Sequence, residues 1–314
     1  MNFFSTLFHS KIKLSILIYH RVLPESDPLF GSGGDIVDFG LQLKYLVRNF
    51  KVLPLFEAVN RLRDGTLPAR AACITFDDGY ADNEAIALPL LNKFGLPATF
   101  FIAAGFLDGG RMWNDTVIES FRHAQGNTID LREIDLGLHT ITTLPDRRQA
   151  LFATIDALKY MDPKLRQTQV EKLANLIAAD LPDDLMMTAD QVRTLHRNGM
   201  EIGGHTMNHP ILARLDDASA RIEIAEGKAK LEAITGAPVR FFAYPNGKPG
   251  KDYLPAHVAM LKELGFEAAV STAWGAARHG SDMYQLPRFT PWDKSEFFYV
   301  LRMLRNMMQA VQTV

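Results

Sequence analysis

Three short segments carry residue types that could do chemistry together. Thr75-Phe76-Asp77-Asp78-Gly79-Tyr80 sets two adjacent carboxylates before a glycine that permits a sharp turn. Neighbouring carboxylates are costly to hold together unless something compensates them. A divalent cation would do so, taking one as a ligand and leaving the other as a base. A solvated turn with an aspartate capping the next helix is the other reading of the same letters. In Gly203-Gly204-His205-Thr206-Met207-Asn208-His209-Pro210, two histidines four apart have a spacing that can meet one metal. Pro210 discourages a helix across His209, so the pair would sit on a loop. A lone histidine here would more readily be a hydrogen-bonded structural residue; two of them, with carboxylates supplied from elsewhere, favour ligation. The third segment, Arg240-Phe241-Phe242-Ala243-Tyr244-Pro245-Asn246-Gly247, ends an apolar run in a turn. Turn amides can donate to a developing oxyanion, although Pro and Gly after a strand are also ordinary loop punctuation.

These segments need a scaffold that brings them to one place, and the hydrophobic pattern supplies one. Apolar, β-type runs occur at 14–20, 71–78, 97–105, 200–206, 240–245 and 266–272, with a shorter one at 284–289. Helical patterns lie between them, including 39–50, 83–95, 188–199 and 217–236. Thr188 with Gln191 forms a capping box, and Gly236 ends a helix whose apolar face is expected at Ile222, Ala225, Ala229 and Ile234. Such alternation reads as an α/β fold with a parallel sheet, open or closed into a barrel. Each chemical segment falls where a β-run ends, the edge at which α/β barrels and open sheets gather their reactive groups. Residues 107–187 break the rhythm with helical patterns and little strand, and are expected to be a mostly helical insertion bordering the barrel mouth. The whole chain, 1–314, is otherwise read as a single domain.

Taken in order, TFDDG, HTxxHP and FAYPxG resemble the motifs of the polysaccharide deacetylase (NodB-homology) family, carbohydrate esterase family four. The resemblance covers roughly residues 14–105 and 188–292. It implies a distorted (β/α)7 barrel and metal-dependent hydrolysis of an N-acetyl, sometimes O-acetyl, group from a saccharide. By position it implies that Asp77 is the catalytic base, that Asp78, His205 and His209 hold the metal, and that the Tyr244 backbone amide helps hold the oxyanion. A His2Asp ligand set suits zinc first, with cobalt, nickel or manganese able to use the same donors.

Two departures from the family pattern bear on the chemistry. Many members carry an arginine two residues before the proline of the third motif, where this chain has Ala243. Members often also end with a Leu-x-His motif whose histidine is the general acid, where this chain reads Leu286-Pro287-Arg288. Arg288 is therefore expected to pair with Asp77 in place of the missing arginine. An arginine cannot act as a general acid near neutral pH, so the leaving amine needs another donor. His20, ending the first strand, is the candidate, with a structural histidine as the alternative. Tyr80 and Trp292 are candidate platforms for a sugar ring, as are Trp113 and Trp274.

Composition is that of an ordinary globular enzyme: 47% hydrophobic, 22% charged and a formal net charge of −2, which gives no nucleic-acid signature. The single cysteine, Cys73, excludes an internal disulfide and a Cys-rich zinc site, and is expected to be buried and inert. No apolar run approaches the ~20 residues of a membrane span, and no cleavage site follows the first apolar patch. A cytoplasmic enzyme is the resulting expectation, with a peripheral membrane contact through Phe3, Phe4, Leu7 and Phe8 as a lesser reading. The closing segment 295–314 is expected to be a helix packing Phe298, Leu301, Leu304 and Met308 into the core, with a partner or membrane surface as the lesser reading. Two rivals to N-deacetylation stand beside it: deformylation or O-deacetylation of a lipid-linked sugar, and a silent carbohydrate-binding barrel.

Overall fold

The computed structural model describes residues 12–30, 34–178 and 180–314, so Met1–Ser10 and the phenylalanines proposed to touch a membrane lie outside the described residues. In chain order the strands are β1 Lys13–Tyr19, β2 Lys51–Val52, β3 Ala71–Phe76, β4 Thr99–Ile102, β5 Thr128–Leu131, β6 Gly137–Thr140, β7 Glu201–Gly204, β8 Phe241–Ala243, β9 Ala268–Val270 and β10 Ala277–Arg278. The main sheet runs β10-β1-β3-β4-β7-β8-β9, with β2 added beside β3. All its pairs are parallel except β1 with β10.

The expected seventh strand closes the ring without a continuous ladder. Leu286 bridges Val270 of β9, and Phe289 bridges Leu17 of β1, both in parallel. Phe289 donates its amide to Ile16 O at 2.9 Å and accepts from Ile18 N at 3.0 Å. Pro287 between them has no amide to donate, which is why the pairing is interrupted there. The result is a distorted barrel of seven staves.

Side chains alternate between two apolar clusters, as a period of two requires. Leu14, Ile16, Cys73, Phe101, Phe241, Ala243 and Val270 share one cluster inside the ring. Leu17, Ile74, Phe76, Phe100, Ile102 and Phe242 face the surrounding helices. Continuing the inner parity of β3 from Ala71 and Cys73 leads to Thr75 and then Asp77. The register of a buried strand therefore aims Asp77 into the barrel's upper end. The free thiol of Cys73 is buried in the inner cluster, and burial pushes it well above its ordinary range.

The helix Asp217–Thr235 ends on Gly236 in the left-handed conformation, φ 69°, but its packed face differs from the expected one. Ala220, Ile224, Gly227 and Leu231 are buried, while Ile222 is exposed. Hydropathy misplaced the face because its centre is a glycine. A Cβ on Gly227 would lie 2.7 Å from the Thr206 carbonyl, so this helix touches the histidine loop backbone to backbone.

The segment between β4 and the helix Ala189–Arg197 contains helices Trp113–His123, Leu144–Lys159 and Pro163–Ile177. It also holds an antiparallel hairpin, β5 with β6, which corrects the expectation of little strand here. The hairpin is short: exposed and buried residues alternate along Thr128–Leu131, and its turn uses Asp135 and Gly137 at positive φ. Phe121, Leu131, Leu151, Leu158 and Leu173 help form a separate apolar cluster in this region. The chain returns alongside Gly79–Ala81, where Met187 N donates to Gly79 O at 3.0 Å and Ala81 N to Leu185 O at 2.8 Å.

Candidate active site

Asp78, His205 and His209 converge at the C-terminal ends of β3 and β7, with one potential ligand atom from each within 4.8 Å of the others. The Asp78 Oδ1 atom lies 3.4 Å from Nε2 of His205 and 3.4 Å from Nε2 of His209. Ligand atoms about 2.1 Å from one tetrahedral ion stand about 3.4 Å apart, so these donors fit a divalent cation. Nδ1 of His205 faces the Ala243 carbonyl at 2.7 Å. A carbonyl only accepts, so Nδ1 carries the proton and Nε2 keeps its lone pair for the site.

The electrostatics without an ion agree with a cation cradle. Burial pushes the Asp78 carboxyl up, but the hydrogen bond from His205 and the nearby imidazoles outweigh it and hold the group well below the usual range. Burial brings His209 down to about 4, against the pull of Asp78, so its imidazole is neutral near neutral pH. Burial also acts to lower His205, yet the carboxylates of Asp77 and Asp78 prevail and raise it. A second proton on His205 is what a bound cation would displace.

The loop geometry is paid for in backbone conformation. Asp78, Thr206 and His209 all have positive φ, 78°, 66° and 52°, which non-glycine residues adopt rarely. Neighbouring contacts hold them there. Glu223, from the Asp217–Thr235 helix, accepts from Met207 N at 3.1 Å, Asn208 N at 2.8 Å and Asn208 Nδ2 at 2.8 Å. Thr206 Oγ1 accepts from His209 N at 3.0 Å. On the other side, a Cβ on Gly105 would lie 2.7 Å from the Met207 carbonyl oxygen. Sequence reading missed Glu223, Gly227 and Gly105; the glycines carried no sign of the close approach, and Glu223 lies fourteen residues beyond His209.

Asp77, next to the ligand trio, is gripped by Arg288. The guanidinium donates in parallel, Nη1 to Oδ1 and Nη2 to Oδ2, each at 2.6 Å. Arg288 is fully buried and further fixed by donating from Nε to Ser271 O at 3.0 Å and from Nη1 to Thr75 Oγ1 at 3.2 Å. Burial opposes ionisation of Asp77, but the Arg288 charge beside it holds its carboxyl below the ordinary value. Asp77 Oδ2 is 4.0 Å from Nε2 of His205, so it stands directly beside the cradle.

The remaining candidates divide. His20 is exposed at the end of β1, near enough for its charge to act on Asp77, Asp78 and His209. Its carbonyl accepts from the buried Asn83 side chain at 2.8 Å, which fixes the backbone there. The Tyr244 amide, expected to serve the oxyanion, already donates to Val270 O of the neighbouring strand at 3.2 Å. Its ring is buried, stacked on Tyr253 at 3.8 Å, with the hydroxyl donating to Tyr284 O at 3.0 Å. Pro245 has no N–H, so the next amide of the turn is that of Asn246, φ 58°.

Tyr80 is not a surface platform for sugar. The insertion buries it: its hydroxyl donates to Asp115 at 3.0 Å and the Arg21 guanidinium covers its ring at 4.7 Å. Trp113 is likewise covered by Arg166, at 4.7 Å. Trp292 and Trp274 are half-exposed, their centroids 5.8 Å apart and each 5.8 Å from Phe289. Arg302 lies over one face of Trp292 at 3.9 Å.

Comparison with known proteins gives one answer. The profile of the polysaccharide deacetylase family matches residues 64–269, a span that includes Asp77, Asp78, His205 and His209 but neither His20 nor Arg288. The Bacillus subtilis (strain 168) protein YxkH, assigned as a polysaccharide deacetylase, is 22% identical over 282 residues, 88% of this chain and 70% of that one. Among solved structures, the Streptococcus pyogenes deacetylase PplD, in complex with acetate, aligns with a TM-score of 0.62 at 18% identity, covering 95% of this chain and 100% of the other. IcaB from Ammonifex degensii aligns with a TM-score of 0.60 at 20% identity, covering 94% and 97%. These structures share the barrel fold.

Proposed function

Because the chain belongs to the polysaccharide deacetylase family, hydrolases of carbon–nitrogen bonds, we propose that it removes N-acetyl groups from a saccharide, with Asp77 as base beside a divalent-cation site. The observation that carries this reading is the pair of 3.4 Å separations from Asp78 Oδ1 to the two imidazoles, with the ionised Asp77 held next to them. Asp78, His205 and His209 would hold the ion, zinc by preference for this donor set. When bound, it would supply Lewis acidity toward the acetyl oxygen and the attacking water.

The chain's own residues account for the proton traffic. Asp77 takes a proton from the attacking water as oxygen adds to the acetyl carbon. Arg288 keeps that carboxylate ionised and fixes its orientation. It also makes Asp77 a weak base, so the water must be acidified for the transfer to proceed. As the carbon–nitrogen bond breaks, the departing amine needs a proton, and His20 is the side chain we assign to give it. With the Tyr244 amide engaged in the sheet, Asn246 supplies the candidate turn amide for the oxyanion. Trp292, half-exposed four residues past Arg288, is the aromatic we assign to a sugar ring.

Acetate release from N-acetylated oligosaccharides, polymers, O-acetylated sugars and lipid-linked forms, measured with and without chelator, tests this reading. Release confined to N-acetyl substrates, abolished by chelator and by Asp77→Asn, is the expected pattern. A tightly bound ion with no release from any substrate would instead support a silent carbohydrate-binding barrel.

A further inference from the structure

The last helix, Glu296–Met307, begins on the same rim as Trp292 and runs back along the barrel to β1, where the Lys13 ammonium donates to Met307 O. It buries Tyr299, Met303 and Asn306. The residues expected to pack into the core point the other way. Phe297 (70% exposed), Leu301 (49%), Leu304 (50%) and Met308 (77%) are spaced four, three and four apart, which draws one apolar line along the outer face, with Phe298 beside it. A helix apolar on both faces is ordinarily covered on both. Among the described residues nothing covers this one.

Charge says what could. The helix is tied to its neighbour Ile36–Asn49 through Tyr45 Oη donating to Lys294 O at 2.8 Å and the Arg48–Glu296 ion pair at 3.0 Å. Residues 36–51 and 293–308 hold six basic and three acidic side chains, a local +3 in a chain whose net charge is −2. Every one of those acids is matched: Asp38 by Lys294, Glu296 by Arg48 and Asp293 by Arg302. Lys44, Lys51 and Arg305 are exposed and have no ion-pair partner among the described residues. Lys44 and Arg48 share a face with the exposed Val37, at spacings of seven and eleven from it. No helix among the described residues is long and apolar enough to cross a membrane.

We infer that the outer face of Glu296–Met307, with Lys44 and Arg305 beside it, is an interfacial docking surface for an anionic lipid bilayer. Its apolar line would enter the headgroup boundary while the flanking cations meet lipid phosphates. Because the helix starts next to Trp292, docking would hold the barrel mouth close to the membrane surface. This surface is independent of the proposed catalytic chemistry and stands or falls without it.

The test is co-sedimentation of the full chain with phosphatidylcholine vesicles, with and without about one-third phosphatidylglycerol. Binding is expected on the anionic vesicles, weakening with salt. The Phe297→Ser/Leu301→Ser/Leu304→Ser variant should lose at least about tenfold in partitioning, given the apolar area it removes. Lys44→Glu/Arg305→Glu should lose on the order of fivefold or more per charge on anionic vesicles alone. Thermal midpoint and turnover of a soluble substrate, unchanged in both, show that the variants are folded. Failure to bind either vesicle would overturn the inference, as would binding that the serine variant leaves intact, which would place the contact elsewhere in the chain. A chain that sediments as a dimer, becomes monomeric in the serine variant and ignores vesicles would make this face a subunit interface and overturn it equally.

Discussion

Replacing Arg288 by methionine isolates what the buried ion pair does. The substitution removes both 2.6 Å bonds to Asp77 along with those to Ser271 O and Thr75 Oγ1, from a side chain with no solvent exposure. Breaking a buried pair by deleting one partner costs about 3–5 kcal/mol, because the other charge is left uncompensated. That cost has a pH signature in metal-free protein. In the wild type the folded pKa of Asp77 lies below its ordinary value, so its contribution is present at neutral pH and is lost as pH falls through the acid range. Without Arg288, burial is opposed only by the weaker pull of the nearby imidazoles, and the folded pKa rises. The variant then sheds its penalty on acidification, when the buried carboxyl takes up a proton. Urea unfolding of chelator-treated protein at about pH 8 and about pH 5 should therefore show a larger deficit at the higher pH. Asp77→Asn added to Arg288→Met should recover most of the loss, giving a coupling energy of about 3 kcal/mol. A deficit under about 1 kcal/mol, or one that grows on acidification, would refute the assignment of Asp77 as an ionised group sustained by Arg288.

Other perturbations probe the supporting shell. Glu223→Ala removes three acceptor contacts from the histidine loop and should weaken zinc affinity by about 10–100-fold, with Glu223→Gln recovering part of it; equal affinity in all three proteins would deny Glu223 that role. Burial pushes Asp115 up to about 7 even though Tyr80 donates to it. Folded Asp115 therefore keeps a proton that the unfolded chain releases from about pH 4, and stability falls as pH rises across that window. Asp115→Asn should flatten the fall and stabilise the protein above neutrality, by up to about 4 kcal/mol; an unchanged pH slope would contradict this. His20→Ala and His20→Gln should each lower kcat on an N-acetylated substrate by about 100-fold or more, and rates within a few-fold of wild type would remove His20 as the acid.

The site was readable where its residues announce themselves locally. Two aspartates before a glycine, and two histidines after a buried run, sit at strand ends because the runs are apolar and the ends are not. Arg288 was readable only by joining two departures from a pattern, Ala243 and Leu286-Pro287-Arg288. Other features depend on distances that letters do not encode. Gly227 and Gly105 work through the side chains they lack, so hydropathy placed the packed face of Asp217–Thr235 on Ile222 instead. Tyr80 looks like a rim aromatic until the insertion is seen to fold over it, and the Tyr244 amide looks free until β8 is paired with β9 and Val270 accepts from it. In the last helix, periodicity showed an apolar line at Phe298, Leu301, Leu304 and Met308 but could not say which of two apolar faces meets the barrel. Tyr299 and Met303 pack inward, and the line expected in the core faces outward.

The central claim is that Asp78, His205 and His209 together hold one divalent ion. Zinc titration of chelator-stripped protein against a chromogenic competitor measures this directly. One high-affinity ion per wild-type chain is predicted, with none retained by His205→Ala/His209→Ala. Full-affinity binding in the double variant, or none in the wild type, would contradict the account.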